Sequence, residues 1–214
     1  MAIVTPQNTV VIPKLEESIL VVKREHLMSE YEEWHGLRHD NLNRYLTIVN
    51  TKKEFMLRSA AEQDPRYKQI IPYLVFMHEG RIFVMQRTGG ASETRLQNKY
   101  TVGIGGHIRQ EDIKSNDLYM WANREFHEEV AYEDTLTIEP LGVLNDDTNE
   151  VGRVHMGFVF LLNGTSDAIR IKSELKSGVF MSLEECTTMI NHFESWSQIV
   201  LHALKERRDQ AEII

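Results

Sequence analysis

Residues 103–132 read GIGGHIRQEDIKSNDLYMWANREFHEEVAY, and the way this stretch divides into strand, loop and helix decides the fold. Tyr100 to Ile104 is strand-like and closes on the pair Gly105-Gly106; Ser115 or Asn116 then caps a helix predicted to run to about Ala131. At 100° per residue, Glu125, Glu128 and Glu129 project to one side of that helix, while Ala122, Phe126 and Val130 form the neighbouring apolar stripe. Carboxylates spaced i, i+3 and i+4 repel one another by some tenths of a kcal/mol each, unless cations neutralise them. Ligands that offer only oxygen select hard ions, Mg²⁺ or Mn²⁺, over zinc. An acidic run on a helix is ordinarily a solvated face. Arg124 inside the run, the glycine pair ahead of it and a hairpin upstream set this one apart.

Working outward, Gln69 to His78 and Arg81 to Arg87 flank Glu79-Gly80 and predict a β-hairpin, followed by a long polar loop, Thr88 to Lys99. Downstream, Leu136 to Leu144 and Val154 to Leu162 predict two strands joined by an acidic loop, Asn145 to Gly152. Ser182 with Glu185 forms a capping-box pattern that opens a helix to Ile190, and Ser195 to Arg208 is a further helix. Strands around one polar helix, closed by a second helical layer, pack as an α/β/α sandwich.

Residues 1–67 read as an N-terminal extension ahead of a domain spanning 68–214. It holds an alternating stretch at Thr9 to Ile12, a strand-like Ser18 to Val22 and a mixed segment, Glu30 to Val49. Thr51 to Gln63 predicts a short helix with a threonine cap, apolar Phe55, Leu57, Ala60 and Ala61, and a stop before Pro65. Apolar Trp34, Leu37, Leu42 and Tyr45 among charges make the extension a candidate homodimer interface.

The segment Gly106 to Tyr132 resembles the Nudix box, in which a glycine, five residues, a glutamate and seven residues precede R-E-U-x-E-E-x-G-U, with U a bulky aliphatic. Gly106 matches the first glycine, and Arg124, Glu125, Phe126, Glu128 and Glu129 match the charged core. The chain departs from the pattern in three places. Asp112 stands six residues after Gly106, with Glu111 beside it, where the family has glutamate; four additional residues precede Arg124; and Ala131 replaces the last glycine. The resemblance covers about Gln69 to the C-terminus and implies an α/β Nudix-type sandwich with a mixed sheet.

It also implies a magnesium- or manganese-dependent hydrolase of a diphosphate bond, in a nucleoside diphosphate linked to another moiety or in a nucleoside triphosphate. Glu128 and Glu129 would be the main metal ligands, joined by Glu125 as ligand or base and by the carbonyl of Gly105 or Gly106. Arg124 would hold a carboxylate, Glu111 or Asp112, and so fix the loop to the helix. Glu174 matches a loop glutamate that serves the family as base or ligand, and Phe180 the aromatic after it. Arg87, Arg95, Lys99 and His107 are candidates for contact with the substrate, and His155 could also touch it. Two other readings share these residues: a non-catalytic sensor of nucleotides or sugar diphosphates, and an enzyme like the isopentenyl diphosphate isomerases, whose site cysteine would have to be Cys186.

Composition bounds the rest. With 42% hydrophobic and 26% charged residues over 214 positions, the chain can bury a core. No run approaches the roughly 18 apolar residues of a membrane helix, and the start of the chain has no export pattern, so a cytoplasmic protein is expected. A single cysteine forms no internal disulfide. A net charge of −8, with no basic cluster beyond Lys205 to Arg208, argues against nucleic acid and for a small phosphoanhydride reached through a divalent cation.

Overall fold

The computed structural model describes residues 16–28, 34–87, 99–113, 118–172 and 175–211. Its main sheet is built around β4 (Tyr67–His78) and β10 (His155–Gly164), which pair in parallel. Outward from them run β5 (Arg81–Arg87) and β12 (Leu175–Met181) on one side, and β9 (Leu136–Asn145) and β2 (Gly36–Arg38) on the other, all antiparallel to their neighbours. The sheet is therefore mixed, as expected.

Both central strands read as nearly continuous apolar runs because both of their faces are covered. Ile70, Leu74 and Phe76 of β4 and Met156, Phe158, Phe160 and Leu162 of β10 enter one core, together with Leu118, Trp121, Ala122 and Phe126 of α4 (Leu118–Glu129). The alternate residues Tyr73, Val75, Val159 and Leu161 enter a second core, with Cys186 of α6 (Leu183–Thr188) and Val200, Leu201 and Leu204 of α7 (Ser195–Ala211). The period of two sorts side chains between two helical layers, which is the α/β/α sandwich.

The predicted turns and caps are present. Glu79 and Gly80 both take positive φ, 49° and 74°, the turn whose twist suits a two-residue hairpin. Ser182 accepts from the Glu185 amide while Glu185 accepts from the Ser182 amide, closing the capping box of α6. Tyr100 to Ile104 divides into β6 (Tyr100–Thr101), on β5, and β7 (Gly103–Gly105), on β4. Part of the acidic loop is helical: α5 (Glu150–Val154) is capped by Asn149, whose side chain accepts from the Gly152 amide.

Thr51 to Gln63 is not one helix. Thr51 lies in the last turn of α2 (Leu42–Lys52), its hydroxyl donating to the Thr47 carbonyl; β3 (Lys53–Leu57) follows, and only α3 (Arg58–Ala61) is helical again. The cause is tertiary. β3 pairs antiparallel with β1 (Ser18–Lys23), and its alternating Phe55 and Met56 pack into different clusters. The central helix also ends earlier than expected, because Val130–Ala131 leave it as β8 to pair with β11 (Arg170–Ile171). Ala131 has no positive φ, so no glycine is needed there. Thr9 to Ile12 and the Ser115 and Asn116 caps lie outside the described residues.

The segment before residue 68 is woven into this sheet. β1 pairs with the start of β4, Val21 opposite Gln69, and β2 pairs with β9. Ile19 to Val22 are buried. The four apolar residues considered for an interface pack within the chain: Tyr45 is in the first core, Trp34 and Leu42 lie against it, and Leu37 lies against the second.

Candidate active site

β7 delivers the chain to the site. Its edge runs beside β4, with Gly105 opposite Tyr73, so the backbone of Gly105-Gly106 arrives at the flank of α4. Gly106 leaves room for a carboxylate: a Cβ there would lie 2.0 Å from Oε1 of Glu125. The helix is oriented by its apolar stripe. Ala122 and Phe126 are buried, and the same rotation turns Glu125 inward, leaving it 6% exposed. One turn further on, Glu129 is half-buried and Glu128 is exposed.

Burial pushes the Glu125 carboxyl up to about 7; Arg124 draws it back, while Glu128 and Glu129 push it further and Arg109 opposes them. A buried carboxyl with two acidic neighbours one turn away is a place where a cation would be favoured. All the donors are carboxylate or carbonyl oxygens, so the residues fit Mg²⁺ or Mn²⁺. Among the described residues, no three His, Cys, Asp or Glu side chains are already gathered as a cage.

Two guanidinium groups lie among these carboxylates. Arg124 lies 2.6 Å from Oε1 of Glu128 and 3.3 Å from Oε2 of Glu125, and its Nη2 also donates to the His107 carbonyl at 3.4 Å. It thus ties the helix to the glycine loop, through the loop backbone and two carboxylates of its own helix. Arg109 reaches the same Glu128 oxygen at 3.2 Å and stands 3.9 Å from Glu111. The Arg109 contact was not foreseen; the available signal was a basic residue three positions after Gly106, just ahead of Glu111 and Asp112. The loop backbone is pinned from the far side, where the Leu20 amide donates to the Ile108 carbonyl and Ile19 bridges to Arg109. Between the start of β1 and the 3-10 turn Gln110–Asp112 lies a cavity of about 430 Å³, lined by Glu16, Glu17, Ser18, Gln110 and Glu111.

His107 faces a neutral group. Its Nε2 is 2.7 Å from Oε1 of Gln69 and 3.4 Å from Nε2 of His155, whose Nδ1 donates to the Val151 carbonyl at 2.7 Å. Burial, then Arg58 and the second histidine, lower His107 to about 3; burial also lowers His155, against the pull of Val151. Both rings are uncharged at neutral pH. Gln69 was not singled out from sequence, since a polar residue at the start of an apolar strand gives no hint of what faces it.

Lys99 donates to the Asn191 carbonyl, beside α6. Arg87 ends β5, opposite Leu175. Arg95 and Glu174 lie outside the described residues, as does the side chain of Asp112. Phe180 packs against Phe83 and Phe76. Cys186 is fully buried in the second core, across the sheet from α4, and burial raises its thiol to about 11. It cannot serve the isomerase chemistry.

No family model matches the chain. Protein YmaB of Bacillus subtilis (strain 168) is 32% identical over 205 residues, covering 90% of this chain and 99% of that protein. The crystal structure of Tm1382, which is assigned to the Nudix hydrolases, is 33% identical with a TM-score of 0.75, covering 88% of this chain and 98% of its own. Residues 68–214 are too few to make up such shares, so the likeness extends into the upstream strands. The NUDIX domain of Shewanella oneidensis NrtR, solved with ADP ribose, shares the fold at a TM-score of 0.52 and 15% identity, over 71% of this chain and 99% of that one. Likeness of this extent to Tm1382, in sequence and in fold together, means that the chain belongs to the Nudix hydrolase family.

Proposed function

We propose that the protein hydrolyses a diphosphate bond, in a nucleoside diphosphate joined to a second group or in a nucleoside triphosphate, with Mg²⁺ or Mn²⁺ held by Glu125, Glu128 and Glu129 and by the carbonyl of Gly105 or Gly106. The observation that carries this reading is the Glu125 carboxylate seated on Gly106, with two more glutamates one helical turn away. A bound divalent cation would offset the charge of the diphosphate and lower the pKa of a water molecule. The chain's own part is positional. Packing of Phe126 and Ala122 fixes the rotation of α4, Arg124 holds the glutamates against the glycine loop, and a carboxylate, Glu125 or Glu174, accepts the proton of the attacking water. The neutral His107, with Gln69 and His155 behind it, suits contact with an uncharged part of the substrate. Arg87 and Arg95 remain candidates for phosphate.

The test is a panel of nucleoside triphosphates, dinucleotides and nucleotide sugars with Mg²⁺ or Mn²⁺. Wild type is expected to release phosphate or nucleotide from at least one class and to stop when EDTA is added. Glu128→Gln, folded by circular dichroism, is expected to be inactive; unchanged turnover by that variant would remove α4 from the chemistry.

A further inference from the structure

Glu128 carries two guanidinium groups on one oxygen: Arg124 at 2.6 Å, from the same helix, and Arg109 at 3.2 Å, from the loop after the glycines. A cation bound to that oxygen at ~2.1 Å would stand within about 5 Å of the Arg109 donor, and the two positive charges would repel. The two arginines differ in what else they do. Arg124 also meets Glu125 and the His107 carbonyl, a bridge between helix and loop that remains useful with a cation present. Arg109 comes from the loop and stands 3.9 Å from the exposed Glu111 on that same loop. Its backbone cannot follow the side chain away, because β1 holds Ile108 and Arg109 by a hydrogen bond and a bridge. Arg109 can therefore leave Glu128 only by swinging its side chain from a fixed root at the rim of the site.

We propose that Arg109 is an internal counter-ion that occupies Glu128 in the cation-free protein and exchanges that carboxylate for a substrate phosphate when a divalent cation takes it. The inference rests on the carboxylate site proposed above and assigns a residue to the exchange. A guanidinium displaced by a cation beside a diphosphate finds, in the phosphate oxygens, a partner matched to its fork. In this scheme the chain keeps its acidic helix neutralised at rest, and binding of cation and of substrate reinforce each other because each removes a competitor of the other.

The experiment measures Mn²⁺ binding to the full chain by the electron paramagnetic resonance signal of free Mn²⁺, and then binding of α,β-methylene-ADP, as a non-hydrolysable probe, by calorimetry in saturating Mn²⁺. Arg109→Gln is expected to bind Mn²⁺ about three- to tenfold more tightly than wild type and to bind the probe about tenfold more weakly. Arg109→Lys, which keeps the charge, is expected to hold Mn²⁺ within about twofold of wild type. Melting in EDTA with and without added Mn²⁺ gives an independent readout, with a larger Mn²⁺-induced rise in Tm for Arg109→Gln. Mn²⁺ affinity that is unchanged or weaker in Arg109→Gln overturns the proposal, since an arginine that merely positions Glu128 for the cation gives that sign. Tighter Mn²⁺ with undiminished probe binding overturns the exchange. Absence of Mn²⁺ binding in wild type and in both variants overturns the carboxylate site itself, and the failure of the two readings is thus distinguishable.

Discussion

Gly106 and Glu125 constrain each other. The glycine has no side chain because the carboxylate occupies that volume, and the carboxylate is buried because Phe126 beside it belongs to the core. Gly106→Ala puts a methyl group 2.0 Å from Oε1, a clash with the far end of a side chain that can rotate away. The protein is therefore expected to fold, with Glu125 displaced by about an ångström and metal-dependent turnover lower on the order of 100-fold. Steady-state kinetics beside a circular dichroism melt checks both halves, and an active Gly106→Ala would show that Glu125 need not sit there. Glu125→Gln separates stability from chemistry. The amide keeps the shape and carries no charge to bury, so the melting temperature in EDTA is expected to hold or rise, while activity falls by about 100-fold or more. A variant that loses stability in EDTA would mean that the ion pair with Arg124 outweighs the cost of burial.

At the scale of elements, what the sequence disclosed was whatever is fixed by local chemistry. The hairpin announced itself by Glu79-Gly80, α6 by its capping box, and the acidic face of α4 by helical spacing, whereas the pairing of those glutamates with Gly106 was legible only through the resemblance to the Nudix box. What depends on distant pairing was not. Phe55 and Met56 alternate too briefly to announce a strand until β1 is beside them, and Val130–Ala131 leave the helix for a partner 40 residues downstream. Arg109 on Glu128 was hidden for the same reason, because the path of the loop is set by β1 and not by its own residues. β1 is thus the element on which both sheet and loop lean. Leu20→Ala, at a fully buried position whose amide holds Ile108, is expected to cost about 2–4 kcal/mol, read from the shift of a urea unfolding curve. A shift under about 1 kcal/mol would mean that the upstream strands contribute little to the fold.

Across the whole molecule, one charged cluster joins the upstream segment to the central strands and to the loop after β9. Lys68, fully buried on β4, donates to Asp147 at 2.8 Å and to the Gly152 carbonyl at 2.7 Å. Arg24, in α1 (Arg24–Leu27), which follows β1, meets the same carboxylate through both terminal nitrogens, and Asn145 donates to it as well as to the Trp34 carbonyl. Burial lowers Lys68 to about 8, against the pull of Asp147. For Asp147 burial works against the charge, yet the donors from Arg24, Lys68 and Asn145 prevail and hold it well below the usual carboxylate range. Such a group contributes stability that is fully present above its unfolded pKa of about 3.9 and is lost as pH falls toward the native value. Asp147→Asn removes the negative charge and one of two acceptor oxygens and leaves Lys68 buried beside a second cation, a change expected to cost on the order of 3 kcal/mol at pH 7. The same substitution abolishes the carboxyl's titration, so the gap between variant and wild type should narrow as pH is lowered from 4 to 2. Urea unfolding at pH 7, 4 and 2.5 tests this. A gap that stays constant with pH would show that the loss comes from packing at the junction and not from the charge that Asp147 carries there.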